Sequence, residues 1–393
     1  MCYSNARRMG PCRSLFLALC LLVGLAHFGT GRENAEEFDI ANDGDMIVLP
    51  VNIEGQNYEF ALDTGCGITV YDTSFRPLLG TPHGDLLVTT PNGRVRGEVF
   101  TAPVTRLGSH RLANNRGVVI LDLSTIRRVS GHEVYGVLGM DFLRGRIVTL
   151  NPDRRKLTIV ESAVDAAARK IPIHYDNGGV PFVDAEIPGF GPRAFQIDTG
   201  MFGFSSGNID HSAFHELMDR NLLMAKGSST LASTFSGSSR LKTGGLKTMS
   251  LGGYSHTNLR FREARSSALG MGYWRRFVAT FDFRENFLYL ERSKHFPSPD
   301  RDLVGGLHIL RIDGHVVVAS VDQGSAAAEG GVQAGDVVLA VDNHDAAKTR
   351  LHVLRLAMTD RDGFVNVVIQ RSEQVLELRI RLESPEEQRA PEE

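Results

Sequence analysis

Phe60-Ala61-Leu62-Asp63-Thr64-Gly65 and Phe195-Gln196-Ile197-Asp198-Thr199-Gly200 decide how this chain is read. In both, an apolar run ends in Asp-Thr-Gly, and the copies lie 135 positions apart. One Asp-Thr-Gly is an ordinary turn tripeptide, but here the surroundings repeat as well. Val137-Leu138-Gly139-Met140-Asp141-Phe142 matches Ala268-Leu269-Gly270-Met271-Gly272-Tyr273. Arg144, Thr149, Leu157 and Ile159 fall on Arg275, Thr280, Leu288 and Leu290, all 131 positions apart. The motifs stay in step to within four residues, which marks a duplicated unit of about a hundred residues.

Each half opens with strand patterns. Met46 to Ile53 leads through a Gly55-Gln56-Asn57 turn to Tyr58-Glu59-Phe60-Ala61-Leu62. Pro181 to Ile187 leads through a Gly/Pro turn to Ala194-Phe195-Gln196-Ile197. Short strands with such turns predict compact β-lobes. A pseudo-two-fold axis between two similar lobes would bring corresponding loops face to face. Asp63 and Asp198 would then meet, and two close carboxylates cannot both ionise freely. Such a pair holds one proton and titrates as a unit. Its ionised member can take a proton from water while the other donates to a developing oxyanion, general acid/base chemistry that needs no metal or cofactor.

On these motifs the chain resembles the pepsin-type and retroviral-type aspartic proteases over roughly residues 45 to 293, with lobes nearer the retroviral and bacterial size. The resemblance implies a mainly β fold of two retropepsin-like lobes and an aspartic endopeptidase with Asp63 and Asp198 as its catalytic pair. It also implies that the hydroxyls of Thr64 and Thr199 brace the loops across the axis, and that the apolar-apolar-Gly triplets pack beneath them. Gly65 and Gly200 would leave room for substrate. Leu86 to Thr90, then Pro91-Asn92-Gly93, then Arg94 to Val99 reads as a hairpin whose tip lies about thirty residues after Asp63, where the family carries its flap. The matching region of the second half, Ser228 to Gly245, is Ser/Gly-rich and predicts no clear hairpin. The family favours Ala or Ser directly after the motif. Here Cys66 and Met201 stand there, and Met201 is bulky.

After Arg292, Ser293 to Arg301 reads as a linker with two prolines. Beyond it the repeat stops. Gly306-Leu307-His308-Ile309, a strand over Val316 to Val321, a small-residue helix and Gly331-Val332-Gln333-Ala334-Gly335-Asp336-Val337-Val338 resemble a bacterial PDZ domain. A helix over about Ala346 to Met358 and strands over Phe364 to Gln370 and Val375 to Arg381 complete it. The resemblance implies a small α/β domain in which Gly306, Leu307, His308 and Ile309 offer backbone amides to a peptide carboxylate, with a C-terminal or internal peptide adding a strand.

The expected organisation is a signal peptide over 1–31, an acidic linker over 32–44, lobes over 45–162 and 170–293, a linker over 294–304, a PDZ domain over 305–383 and an acidic tail over 384–393. Arg7, Arg8 and Arg13 precede the apolar run Leu15 to Phe28, whose fourteen residues suit a signal peptide better than a membrane span. Export to the periplasm or beyond is expected, with an uncleaved anchor as the alternative. Cys2, Cys12 and Cys20 lie in that segment, so the mature chain keeps Cys66 alone and forms no internal disulfide. The net charge of −3 across 393 residues suggests no nucleic-acid partner. His211 and His215 have helical i,i+4 spacing without the Glu of a zinc-protease motif, and read as surface or capping histidines. Asp141 has Gly272 as its counterpart, which argues against a paired role. The expected partner is a peptide or unfolded protein, and the two-lobed core is expected to be monomeric. Two further readings stay open: a pseudoprotease that binds peptides in its cleft, and an interaction protein centred on the PDZ domain.

Overall fold

The computed structural model describes residues 35–41, 44–90, 93–112, 117–160, 170–234, 237–301, 305–359 and 363–382, with backbone alone for 226–234 and 237–239. A nine-stranded sheet builds lobe one, an eight-stranded sheet builds lobe two, and a six-stranded sheet joins them. The joining sheet shows the duplication most directly. Ile147–Asn151 pairs antiparallel with its repeat mate Phe277–Asp282, and Thr149 faces Thr280. These two residues occupy the same place in the repeat. The pseudo-two-fold axis therefore passes between them, and their hydroxyls hydrogen-bond at 2.9 Å.

Apolar residues at alternate positions set the strand register, because a slip of one residue would turn a whole buried row to solvent. Val51, Ile53, Phe60 and Leu62 of lobe one, and Val183, Ala185, Phe195 and Ile197 of lobe two, are all buried in one continuous core. Trp274 and Phe281 meet edge to face beneath lobe two.

Two stretches expected to link domains are built into the fold. Glu36–Asp39 forms an outer strand of the joining sheet, paired with Lys156–Val160. Beyond the second lobe, Asp300 is buried and pairs with Arg276 at 2.5 Å. Asp300 also accepts from the backbone N–H of Arg260 at 2.6 Å and of Ser206 at 3.1 Å. The carbonyls of Ser298 and Pro299 accept from Arg276 and Arg275. Prolines and charges looked like a free linker in the sequence; here they strap the chain to lobe two.

Lobe two also carries a long hairpin, Leu223–Thr234 with Gly237–Leu251, where the sequence predicted none. Its Ser, Thr and Gly content gives no apolar alternation. The pairing is set by the neighbouring strand Tyr254–Ala264, against which Thr243 to Leu251 lie in register.

The C-terminal domain has its own core, including Leu307, Ile309, Val316, Leu354, Val367 and Ile380. Its helix is Leu351–Ala357, shorter than the sequence predicts, because Lys348 and Thr349 donate to the Asp345 carbonyl in a preceding turn. No helix among the described residues is long and apolar enough to cross a membrane; Leu15 to Phe28 lies outside them.

Candidate active site

The same local device positions both Asp-Thr-Gly loops. Gln56–Leu62 runs parallel to Val134–Leu138, and the Asp63 N–H donates to the Leu138 carbonyl at 3.0 Å. Gly191–Ile197 runs parallel to Ala268–Leu269, and the Asp198 N–H donates to the Leu269 carbonyl at 3.0 Å. Each strand thus ends on its apolar-apolar-Gly triplet. The triplet glycine is sterically required: a Cβ on Gly139 would lie 2.7 Å from the Cys66 carbonyl oxygen, and one on Gly270 2.6 Å from that of Met201.

Across the axis, the Thr64 N–H donates to Thr199 Oγ1 at 3.0 Å, and the Thr199 N–H donates to Thr64 Oγ1 at 3.0 Å. The hydroxyls pass the bonds on, Thr64 to the Ile197 carbonyl at 2.7 Å and Thr199 to the Leu62 carbonyl at 3.0 Å. This reciprocal set ties the two loops together in the interior. It also presses each carboxylate onto the other loop. A Cβ on Gly65 would come within 2.9 Å of Asp198 Cγ, and one on Gly200 within 2.2 Å of Asp63 Cγ. Only glycine permits this approach.

The structure therefore brings together Asp63, Thr64, Gly65, Asp198, Thr199 and Gly200. Asp63 Oδ1 accepts from the Gly65 N–H at 2.7 Å, and Asp198 Oδ1 from the Met201 N–H at 2.8 Å. Burial raises both carboxyls well above the ordinary aspartate range. The charge on Asp63 pushes Asp198 up further, while backbone donors and Arg262 draw it part of the way back. Two acids so placed hold their protons more tightly than free aspartates do.

Met201 does not disrupt this geometry. Its backbone serves as the donor to Asp198, and its side chain lies over Gly270, where a Cβ would meet Met201 Cε at 2.8 Å. Cys66 is buried and donates its thiol to the Ile68 carbonyl at 3.0 Å. Burial raises the thiol pKa, chiefly by desolvation and next by the charge of Asp63, so it is a poor nucleophile.

Both aspartates open into a cavity of about 980 Å³. The hairpin Gly84–Thr90 with Gly93–Phe100 contributes Leu86, Val88, Thr89 and Thr90 to its wall. Gly93 lies at the start of the returning strand, where its N–H donates to Thr90 Oγ1 at 3.1 Å. Pro91 and Asn92 lie outside the described residues. His211 and His215 both meet Glu263 on the surface, at 2.9 and 3.1 Å. Asp141 accepts from the Thr69 hydroxyl at 2.7 Å.

The PDZ segment borders the same cavity through His308, Ile309, Leu310, His352 and Arg355. Gly306 has φ +69°, but Leu307, His308 and Ile309 belong to the strand Leu307–Ile312 rather than to a free loop. Lobe one's helix Ser124–Ser130 packs beside that strand. Arg355 donates both to the Val129 carbonyl at the end of this helix, at 2.6 Å, and to the Ile309 carbonyl at 2.7 Å. Asp45 lies 3.3 Å from His132 and 3.9 Å from His352. Burial would raise its pKa, but these two histidines hold it below the usual range. On the other side, Arg240 of lobe two's long hairpin pairs with Asp322.

Sequence reasoning did not find Gln196, Asn208, Arg262, His352 or Arg355 as cleft residues. Gln196 sits inside the quoted motif and donates across the axis to the Gly65 carbonyl at 3.2 Å. Its polarity between the buried Phe195 and Ile197, directly before the motif, was the available signal.

Two paired aspartates on pseudo-symmetric loops at the floor of a cleft between β-lobes define an aspartic-protease-like site. Residues 49–142 match a family model described as aspartyl protease, and residues 317–371 match one described as PDZ domain. The chain thus joins an aspartyl-protease-like domain of retropepsin-like lobes to a PDZ domain. Among solved structures, an aspartic proteinase from Irpex lacteus is similar at 13% identity, covering 68% of this chain and 100% of that chain, with a TM-score of 0.44. No curated protein matches the sequence.

Proposed function

We propose that this protein is an aspartic endopeptidase in which Asp63 and Asp198 activate water against a peptide carbonyl. The observation that carries the reading is the reciprocal threonine lock, which holds two half-buried carboxylates against each other at the floor of a large cleft. The ionised member of the pair accepts a proton from water as it attacks; the protonated member donates to the oxygen of the tetrahedral intermediate. The flap hairpin covers the substrate and excludes solvent. The PDZ domain, docked on both lobes beside the cleft, controls which chains enter.

A second reading, a cleft that binds peptides without cutting them, draws on Met201, which occupies part of the wall where the resemblance favours a small residue. Digestion of an unfolded protein by the full chain, scanned from acid to neutral pH, separates the two. The peptidase reading expects cleavage that disappears in Asp63→Asn and Asp198→Asn. Peptide binding by a folded chain that cleaves at no pH supports the second reading.

A further inference from the structure

Strand register allows the two cleft walls to be compared position by position. In lobe one, Ala61, Val137, Val70 and Val119 form a row across four paired strands. The row continues to Val99. In lobe two the same places hold Gln196, Ala268, Asn208 and Arg262, and the row continues to Thr243. Lobe one's row is packed into an apolar cluster. Lobe two's row is polar, and Gln196, Asn208, Arg262 and Thr243 all line the cavity.

The duplicated fold is therefore satisfied by valine at the Arg262 position. A half-buried guanidinium there costs desolvation that the fold does not require. Arg262 donates through Nε to Asn208 at 3.1 Å, which fixes the guanidinium plane. Among the described residues neither Arg262 nor the neighbouring, exposed Arg265 forms a contact ion pair; the carboxylate whose charge acts on Arg262 is Asp198 of the catalytic pair. Arg260, Arg301 and Arg355 also line the cavity, against the carboxylates of Asp63, Asp176 and Asp198. The facing wall, with Ile68, Leu86, Val88, Val99 and Ile126, is apolar.

We propose that lobe two's wall is an anion-recognition subsite that selects an acidic side chain on one side of the scissile bond, with Arg262 and Arg265 as its specificity-determining residues. This rests on the peptidase reading and adds its substrate class: a peptide with an acidic residue on one side of the cut and an apolar residue on the other. Arginine presents paired N–H donors to a carboxylate, and such charge-assisted bonds are about twice as strong as neutral ones.

The test uses two peptides that differ only by Glu or Gln beside one cleavable bond. The full chain should cleave the Glu peptide with about tenfold higher kcat/KM, a ratio that falls as salt rises. Arg262→Gln and Arg265→Gln should bring the ratio toward one, with Arg262→Lys retaining part of it. Arg265 is exposed, so its variant reports even if Arg262→Gln fails to fold. Binding of both peptides to Asp63→Asn is measured by fluorescence anisotropy. A Glu preference in binding without cleavage by the parent chain would keep the subsite and reject the peptidase. Ratios within twofold in both cleavage and binding, or a preference untouched by both arginine substitutions, would overturn the proposal.

Discussion

Lobe one and lobe two deliver their aspartates by the same device, a strand ending on an apolar-apolar-Gly triplet, yet they line the cleft with different chemistry. Where the axis passes, the lobes match almost atom for atom: the four threonine hydrogen bonds are reciprocal, and Thr149 meets its own repeat mate. On the strands of the cleft walls, Val70 and Val119 of lobe one are replaced by Asn208 and Arg262 of lobe two. Geometry is kept where both halves must act as one unit. The side-chain chemistry differs, on the same strand register, where each half lines the cleft separately.

The largest test of the matched part is catalytic. Asp63→Asn and Asp198→Asn should each reduce kcat by about 10³-fold or more, measured on one peptide at the optimum pH. A variant that kept a tenth of the activity would break the equivalence of the lobes. Next comes an unmatched feature, the buried Arg276–Asp300 pair of lobe two. Burial pushes Asp300 up and Arg276 down, so desolvation opposes the pair. Asp300→Ala leaves a buried cation and should cost about 3–5 kcal/mol in urea unfolding.

Thr64→Ala and Thr199→Ala each remove a hydroxyl that donates once and accepts once in the interior. Each should cost about 2 kcal/mol, and by nearly the same amount in the two lobes. A difference above about 1 kcal/mol would show that the lock is unequal.

The pH dependence follows from the raised carboxyls. A group whose folded pKa is above its unfolded one stabilises the fold in acid, and that contribution is lost as pH rises through the folded value. Asp198→Asn should therefore raise the Tm at neutral pH, and the gain should vanish below the ordinary aspartate range. The single-proton state, and with it activity, should lie at higher pH than two free aspartates would allow. The smallest effect is expected at the axis itself: Thr149→Val or Thr280→Val should cost about 0.5 kcal/mol, as for one cross-strand pair.

Much of this site was legible before folding was considered. Asp63, Thr64, Gly65, Asp198, Thr199 and Gly200 are short-range signals repeated at a fixed distance. So are the triplet glycines as a repeated pattern, although the carbonyls that require them, of Cys66 and Met201, come close only in the folded chain. The hairpin of Gly84–Thr90 with Gly93–Phe100 was readable because strand-like runs flank Pro91-Asn92-Gly93 in the sequence. Lobe two's hairpin was not, because its strands are held by Tyr254–Ala264 rather than by their own pattern. The stretch from Ser293 to Arg301 looked like a linker because its carbonyls and Asp300 find their partners, Arg275, Arg276 and Arg260, only in the folded chain.

By itself the sequence determined the duplication, the two aspartate loops, the β-lobes and the PDZ-like segment, since each is written in local pattern and period. Only the tertiary structure decided that Arg262 stands beside Asp198, that Arg355 clasps lobe one's helix, and that the PDZ segment borders the cleft. Those contacts join residues 64 to 292 positions apart along the chain, and no local preference encodes a pairing that is made by the packing of whole lobes.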